Sequence, residues 1–145
     1  MSSGVAVDNK VVSIFKEIMS RKFRAAIFKI NGDLTLIEVE DTAPVEAGAP
    51  KGSWDAMCKK LPETDCRYLA YDFEYEHQGA KKNRIIFVLW SPDSAPTKSK
   101  MVYAASREGI VSQLQGVQRA IEANDDDEID YNAISKKLAQ HTAGY

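Results

Sequence analysis

The spacing of apolar residues near the start of the chain predicts an amphipathic helix. Asp8 is suited to cap it, because a short acidic side chain can accept hydrogen bonds from the first free N–H groups of a helix. Apolar side chains then recur at helical spacing. We expect the buried face to consist of Val11, Val12, Phe15, Ile18 and Met19.

Two strands and a loop are predicted next. Residues 25–30 and 34–40 are apolar enough for paired strands, and the Asn-Gly-Asp sequence at 31–33 predicts a tight turn in which Asn-Gly takes positive φ. Residues 41–52 are rich in Pro, Gly and Ala, which favours a surface loop.

The middle of the chain predicts a short helix and two further strands. Ser53 can cap a helix with Trp54, Met57, Cys58 and Leu61 on one face. Residues 67–76 alternate, which predicts a strand with an apolar face and an exposed polar face of Asp72, Glu74 and Glu76. A polar loop is expected at 77–83. The apolar run at 84–90 indicates a central strand that is covered on both sides.

The last third predicts helix, strand and helix. A long helix is expected from Ser99 or Lys100 to about Leu114, with Gly116 stopping it. A short strand follows at 117–123, and Asp130 can cap a final helix. This order predicts an α+β fold, with a mixed sheet of five or six strands sandwiched between helices on both faces. Residues 1–145 are expected to form a single domain whose first six residues are flexible.

Composition narrows the functional classes. The chain has 145 residues, of which 44% are hydrophobic, and a formal net charge of −2. These values predict a folded domain with no general attraction to nucleic acid. We find no apolar run of the roughly 20 residues that a membrane helix needs, and no signal peptide at the start. The two cysteines, Cys58 and Cys66, are therefore interpreted as reduced thiols, and a cytoplasmic location is expected.

Candidate chemistry is sparse. No glycine-rich phosphate-binding motif occurs, and Cys58, Cys66, His77 and His141 are not spaced as zinc ligands. The acidic run at 125–128 lacks the glycine of a calcium loop. Paired carboxylates on the 67–76 strand and a cysteine nucleophile remain alternatives to ordinary surface charge and buried thiols. We predict neither a metal nor a cofactor, and no enzymatic activity.

Three basic clusters stand out on this slightly acidic chain. They are Lys81, Lys82 and Arg84; Lys98 and Lys100; and Lys136 and Lys137. Each cluster alone is typical of an ordinary surface. Together they favour docking onto an acidic partner, which the residues themselves do not name.

The stretch WSPDSAPTKSKMVYAASRE at 90–108 resembles the signature of the actin-depolymerising-factor/cofilin family. The resemblance extends to LPETDC at 61–66, YDFEY at 71–75 and SSGV at 2–5, and it is closest to fungal cofilins. It implies the fold described above and a monomeric protein that binds actin monomers and filaments. It further implies severing and depolymerisation of filaments. The loop at 41–52 is longer than is usual for the family.

The resemblance also implies two sets of contact residues. The set for monomers and filaments is Ser3, Gly4, Val5, Lys98, Lys100, Met101, Arg107 and Glu108, with Met101 as the apolar anchor. The set for filaments alone is Lys81, Lys82, Arg84, Lys136 and Lys137.

Ser3 matches the family's inhibitory phosphorylation site, and the basic clusters match surfaces that bind phosphoinositide headgroups. The location implied is the actin cytoskeleton of the cytoplasm, and the basic residues at 21–24 are only a weak substitute for the nuclear-import signal of vertebrate members. Three alternatives are a coactosin-like protein that decorates filaments without cutting them, a phosphoinositide-binding regulator, and a thiol hydrolase using Cys58 or Cys66.

Overall fold

The computed structural model describes residues 4–45 and 48–140. Within these ranges the helices are α1 (Asn9–Met19), α2 (Pro50–Cys58), α3 (Thr97–Gln113) and α4 (Tyr131–Gln140). The strands are β1 (Ala6–Val7), β2 (Phe23–Ile30), β3 (Leu36–Pro44), β4 (Arg67–His77), β5 (Ala80–Trp90) and β6 (Arg119–Ala123). Ala6, the last residue of the segment for which flexibility is predicted, is thus part of a strand.

The strands form one mixed six-stranded sheet in the order β1-β3-β2-β4-β5-β6. The four central strands are antiparallel, whereas β1 pairs parallel with β3 and β6 pairs parallel with β5. A parallel pair needs a crossover connection, and α3 supplies it between β5 and β6. The predicted mixed sheet is confirmed.

Each face of the sheet carries its own core. On one face, α1 and α3 cover a cluster that includes Phe28, Tyr68 and Phe87. On the other face, α2 and α4 cover a cluster that includes Phe73 and Ile86. The strands β4 and β5 contribute apolar residues to both clusters, which explains the nearly continuous apolar run at 84–90.

The turn between β2 and β3 differs from the predicted one. Leu34, rather than the Asn-Gly pair, has positive φ, at 59°. The Asn31 side-chain oxygen accepts hydrogen bonds from the backbone N–H groups of Thr35 (2.9 Å) and Leu36 (3.1 Å). Because the Asn31 side chain accepts the backbone N–H groups of the turn, five residues connect the strands. The second strand therefore begins at Leu36, not at residue 34.

The turn between β4 and β5 is much shorter than the polar loop predicted at 77–83. Only Gln78 and Gly79 lie between the strands, and both have positive φ, at 53° and 79°. Two consecutive residues of this kind match the twist of a tight hairpin. Lys81 and Lys82 therefore lie within β5, not in a loop.

The predicted loop at 41–52 is mostly wrong. β3 continues to Pro44, and α2 already begins at Pro50, with Ala49 rather than Ser53 at its cap. The fixed φ of proline suits the first position of a helix, where no N–H partner is lost. Residues 46 and 47 lie outside the described part of the chain.

Two side chains lie elsewhere than predicted. Met19 is 44% exposed at the end of α1, where its thioether contacts Gly116. Asp72 is only 3% exposed, although it was expected on a polar strand face. It accepts a hydrogen bond from the Asn83 side chain at 3.0 Å, and the Arg24 guanidinium lies between it and Glu74. These partners compensate the buried carboxylate.

Candidate functional site

The first turn of α3 is fixed to the start of β4 by a polar network. The helix begins at Thr97, two or three residues before the predicted start at Ser99 or Lys100. The Ser99 hydroxyl donates to the Asp65 carboxylate at 2.6 Å, and the other Asp65 oxygen lies 3.0 Å from the Arg67 guanidinium. Partial burial opposes ionisation of Asp65, but hydrogen bonds from Ser99, the Cys66 N–H and Arg67 hold its pKa below the usual range.

The next turn of α3 is held by two tyrosines. The Tyr68 hydroxyl donates to the Tyr103 carbonyl at 2.6 Å, and the two rings lie 5.0 Å apart. The Tyr103 hydroxyl in turn accepts the Ile30 N–H at 2.9 Å. Burial raises the pKa of both phenols, so they stay neutral in any ordinary buffer. The start of α3 is therefore a rigid platform.

This platform presents an exposed apolar residue directly after two lysines. The Met101 side chain is 65% exposed, which is the largest value among the large hydrophobic residues of the described chain. The Lys100 ammonium donates to the Asp93 carbonyl at 2.6 Å, so its stem is held along the preceding loop. Lys98 is exposed one turn before Met101. An anchor with a charged rim is the usual composition of a protein-binding surface.

The exposed face of α3 continues beyond Met101 with small residues. Ala104 and Ala105 are exposed, followed by Glu108. The Arg107 guanidinium lies 3.8 Å from the Glu122 carboxylate on β6. An open depression of about 520 Å³ runs beside this face. Met101 is therefore the only large apolar side chain exposed on the described helix α3.

The N-terminal segment lies at the same end of the sheet as the start of α3. β1 pairs with Leu36 and Ile37, the first residues of β3. Val5 and Val102 pack against the same core cluster. Gly4 has φ of 82°, a conformation that glycine adopts without strain. Of the predicted set, the structure thus brings Gly4 and Val5 to the α3 end, whereas Ser3 lies outside the described residues.

The hairpin residues of the second predicted set lie near the turn between β4 and β5, at the end of the hairpin opposite to the start of α3. Lys82 and Arg84 share the side of β5 that Ile86 occupies, which is the α2 and α4 side, while Lys81 alternates to the other side. Lys81 and Lys82 both line a cleft of about 670 Å³. Lys136 and Lys137 lie farther along α4 and are not part of its lining.

α4 is fixed against this end of the sheet by its first residues. The Asp130 carboxylate accepts the Asn132 N–H at 3.0 Å, which confirms the predicted cap. The Tyr131 hydroxyl donates to the Glu74 carbonyl at 2.6 Å, and its ring stacks on Phe73 at 5.0 Å. The Trp54 indole N–H donates to the Ile129 carbonyl at 2.8 Å, which ties α2 to the start of α4.

The two surfaces are separated by the length of the hairpin. Ser99 contacts Asp65, two residues before β4, whereas Lys82 lies three residues after the turn that joins β4 to β5. Each strand has eleven residues, which at about 3.3 Å per residue span roughly 35 Å. One chain of this size can therefore present two contacts that are too far apart for a single small ligand.

Sequence reasoning missed the part of the cleft that α2 contributes. Gly48, Pro50 and Lys51 line it together with Asn132 of α4. Pro50 was the available signal, because proline is common at the first position of a helix. Because residues 41–52 were interpreted as a loop, the contribution of α2 to the cleft was not predicted.

The thiols and acidic residues do not form a recognisable reactive site. Cys58 and Cys66 are both free rather than bridged, as predicted. Burial raises the pKa of the Cys58 thiol to about 12, which leaves almost no thiolate to act as a nucleophile. Residues 4–45 and 48–140 contain no group of three His, Cys, Asp or Glu side chains that could hold a metal ion. The same ranges hold no helix long and apolar enough to span a membrane.

Comparison with known proteins identifies the family. The model of the cofilin/tropomyosin-type actin-binding proteins matches residues 4–139. The cofilin of Ogataea parapolymorpha is 39% identical over 143 residues, covering 97% of this chain and 96% of that protein. Actophorin of Acanthamoeba castellanii is 38% identical over 136 residues, covering 93% of this chain and 95% of actophorin.

A solved structure agrees with these sequence matches. The crystal structure of Streptomyces griseoflavus cofilin superimposes with a TM-score of 0.84 at 31% identity, covering 94% of this chain and 98% of that one. The predicted likeness to fungal cofilins is confirmed. The chain belongs to the cofilin/tropomyosin-type family of actin-binding proteins.

Proposed function

We propose that this protein binds actin monomers and filaments and promotes the depolymerisation and severing of filaments. The observation that carries the proposal is Met101, an apolar side chain 65% exposed at the head of a helix that the sheet holds rigidly. Family membership supplies actin as the partner. The protein performs no bond-making step in this scheme and acts as a monomer.

The α3 surface contacts monomers and filaments alike. Met101 enters an apolar notch on actin, and Lys98 and Lys100 pair with acidic groups around it. The remaining members of this set are Arg107, Glu108 and the segment Ser3, Gly4 and Val5. Burial of the methionine supplies most of the affinity, while the charges steer and orient the encounter.

The hairpin surface contacts filaments alone. Its members are Lys81, Lys82, Arg84, Lys136 and Lys137. A separation of roughly 35 Å lets the two surfaces touch different actin subunits. If both surfaces fit a twisted filament better than a relaxed one, binding shifts the filament toward that twist. Strain at the boundary between decorated and bare segments then favours breakage.

Two regulatory contacts follow from the same surfaces. A phosphate on Ser3 would add nearly two negative charges at the acidic actin surface and weaken docking. Phosphoinositide headgroups would compete with actin for the lysine clusters. Actin binding locates the protein at the actin cytoskeleton of the cytoplasm in this scheme, and entry to the nucleus is a further prediction.

Co-sedimentation with actin filaments at several salt concentrations tests the function. We expect the parent to pellet with filaments, and its binding to weaken as salt screens the lysines. The Lys98→Ala/Lys100→Ala variant should bind more weakly and depend less on salt. Filament lengths measured after mixing separate severing from coactosin-like decoration. A parent protein that stays in the supernatant and captures no actin monomers would refute the proposal.

A further inference from the structure

Helix α3 lacks the features that usually stabilise the start of a helix. Pro96 occupies the cap position and offers no side-chain hydrogen bond, and the first turn of this fully described helix contains no acidic residue. The free N–H groups and the positive end of a helix favour a carboxylate at this position. Asp65, which lies outside the helix, supplies one by accepting the Ser99 hydroxyl at 2.6 Å. The position of the first turn, and hence of Met101, therefore depends on the position of Asp65.

The segment before β4 also holds the loop that leads into α3. The Ser94 hydroxyl donates to the Glu63 carbonyl at 2.7 Å, and the Trp90 indole N–H donates to the Pro62 carbonyl at 2.7 Å. Both bonds end on backbone oxygens, so they fix the path of the loop. The contact with the helix itself is made by the Asp65 carboxylate, which is a side chain and needs support of its own.

Arg67 provides that support. Its Nη1 atom lies 3.0 Å from the Asp65 carboxylate and donates to the Cys66 carbonyl at 2.7 Å. The other side of the guanidinium faces Glu40 of β3, where Nε and Nη2 donate to the two carboxylate oxygens at 2.8 and 3.2 Å. A bidentate pair of this kind fixes the plane of the guanidinium as well as its position. Glu40 therefore sets the orientation in which Arg67 holds Asp65.

A bulge in β3 directs Glu40 toward Arg67. Two consecutive residues of β2 pair with Val39 and Asp41, so Glu40 has no partner opposite it. An extra residue of this kind bends a strand and redirects a side chain. Because β2 lies between β3 and β4, the pair of Glu40 and Arg67 spans two strand spacings, about 10 Å. The irregularity of β3 thus coincides with the residue that completes the network under α3.

We infer that Glu40 is a positioning residue for the actin contact of Met101, acting through Arg67 and Asp65. This inference rests on the proposed function and adds to it a residue of the sheet that belongs to neither predicted contact set. With the Glu40 carboxylate removed, Arg67 loses its fixed orientation and the first turn of α3 samples several positions. Binding then has to order this turn, which lowers the affinity for actin.

Asp41 offers a matched control. It follows Glu40 in β3, and its carboxylate contacts the Lys60 ammonium at 3.1 Å. The side chains of this pair are 44% and 46% exposed, and the pair lies outside the network that reaches α3. Asp41→Ala therefore removes a neighbouring carboxylate and an ion pair without disturbing Arg67.

Actin-monomer affinities of Glu40→Ala and Asp41→Ala test the inference, each alone and combined with Met101→Ala. We expect Glu40→Ala to weaken monomer binding about fivefold, and Asp41→Ala to stay within about twofold of the parent. In the Met101→Ala background, Glu40→Ala should cost less than about twofold, because the side chain that it positions is absent. Glu40→Gln keeps an acceptor oxygen for Arg67 and should restore most of the affinity.

Hydrogen exchange of the free proteins gives a readout that needs no actin. Glu40→Ala should accelerate exchange in the first turn of α3, including the Lys100 N–H that bonds to the Pro96 carbonyl at 3.0 Å. The amides in the centre of β4 should keep the rates of the parent. A uniform acceleration over the whole sheet would show a general structural role and overturn the inference.

The binding results separate the positioning role from the function itself. A parent that captures no actin monomers contradicts the proposed function, and the exchange experiment then still tests the hold of Glu40 on α3. A parent that binds monomers, with Glu40→Ala binding them as well as Asp41→Ala does, overturns the inference alone. A full loss from Glu40→Ala in the Met101→Ala background would overturn it too, because Glu40 would then act independently of Met101.

Discussion

The hydroxyl of Tyr103 accepts the backbone N–H of Ile30 at 2.9 Å, although the two residues are 73 positions apart in the chain. The last pair between β2 and β4 is Phe28 with Tyr68, so the Ile30 N–H faces a position where β4 no longer supplies an acceptor. Tyr103 of α3 supplies the missing acceptor instead. It therefore completes the sheet and positions α3 with the same hydrogen bond.

Tyr103→Phe is expected to destabilise the protein. The change removes the acceptor and leaves the buried Ile30 N–H unsatisfied, which costs about 1–3 kcal/mol in the free energy of unfolding. Denaturant unfolding of parent and variant measures this loss in the free energy of unfolding. A variant as stable as the parent would show that another group satisfies this N–H.

Tyr71→Phe provides the opposite case. Its hydroxyl is buried without a partner, so its removal leaves no group unsatisfied. We expect the free energy of unfolding to be unchanged or higher, within about 1 kcal/mol. The same denaturant series compares it directly with Tyr103→Phe. A loss as large as that of Tyr103→Phe would mean that the Tyr71 hydroxyl has a partner after all.

Sequence pattern was sufficient for the fold, because most elements bury one face or are bounded by recognisable caps. Asp8 and Asp130 cap helices as predicted, and the apolar run at 84–90 lies in a central strand. The errors lie where side-chain hydrogen bonds and ion pairs decide the local structure. Asn31 satisfies its turn through its side chain, and Asp72 is buried because Arg24 and Asn83 come from other strands.

The candidate site was predictable only in part. Family resemblance marked Met101 and the lysine clusters, but the polar network that fixes α3 depends on pairs such as Ser99 with Asp65, 34 positions apart. Nothing local in the sequence specifies such a pair. The α2 wall of the cleft was missed because a Pro-rich stretch was interpreted as a loop rather than as the start of a helix.

Met101→Ala should separate binding from stability. The side chain is 65% exposed, so its truncation should change the free energy of unfolding by no more than about 0.5 kcal/mol. As an interface anchor it should cost about 2 kcal/mol of actin-binding free energy, roughly thirtyfold in affinity. Met19→Ala, at the 44% exposed methionine of α1, is the control. Equal binding by both variants would exclude Met101 as the anchor.

Asp65→Asn tests the network beneath α3 through its pH dependence. The lowered pKa means that the native state prefers the ionised carboxylate, so Asp65 stabilises the fold above its ordinary pKa of about 4. This contribution is lost as the pH falls through the lower, folded-state pKa. The variant should therefore be less stable than the parent at pH 7, with the difference shrinking in acid. A stability difference that is independent of pH would contradict the lowered pKa of Asp65 in the native state.

The central claim is that two distant surfaces perform different contacts, and paired affinities test it most directly. Monomer and filament affinities are measured for the parent, Met101→Ala and Lys82→Ala in the same buffer. We predict that Met101→Ala weakens both interactions and that Lys82→Ala weakens filament binding alone. Equal weakening of monomer binding by Lys82→Ala, or unchanged binding by Met101→Ala, would contradict the account.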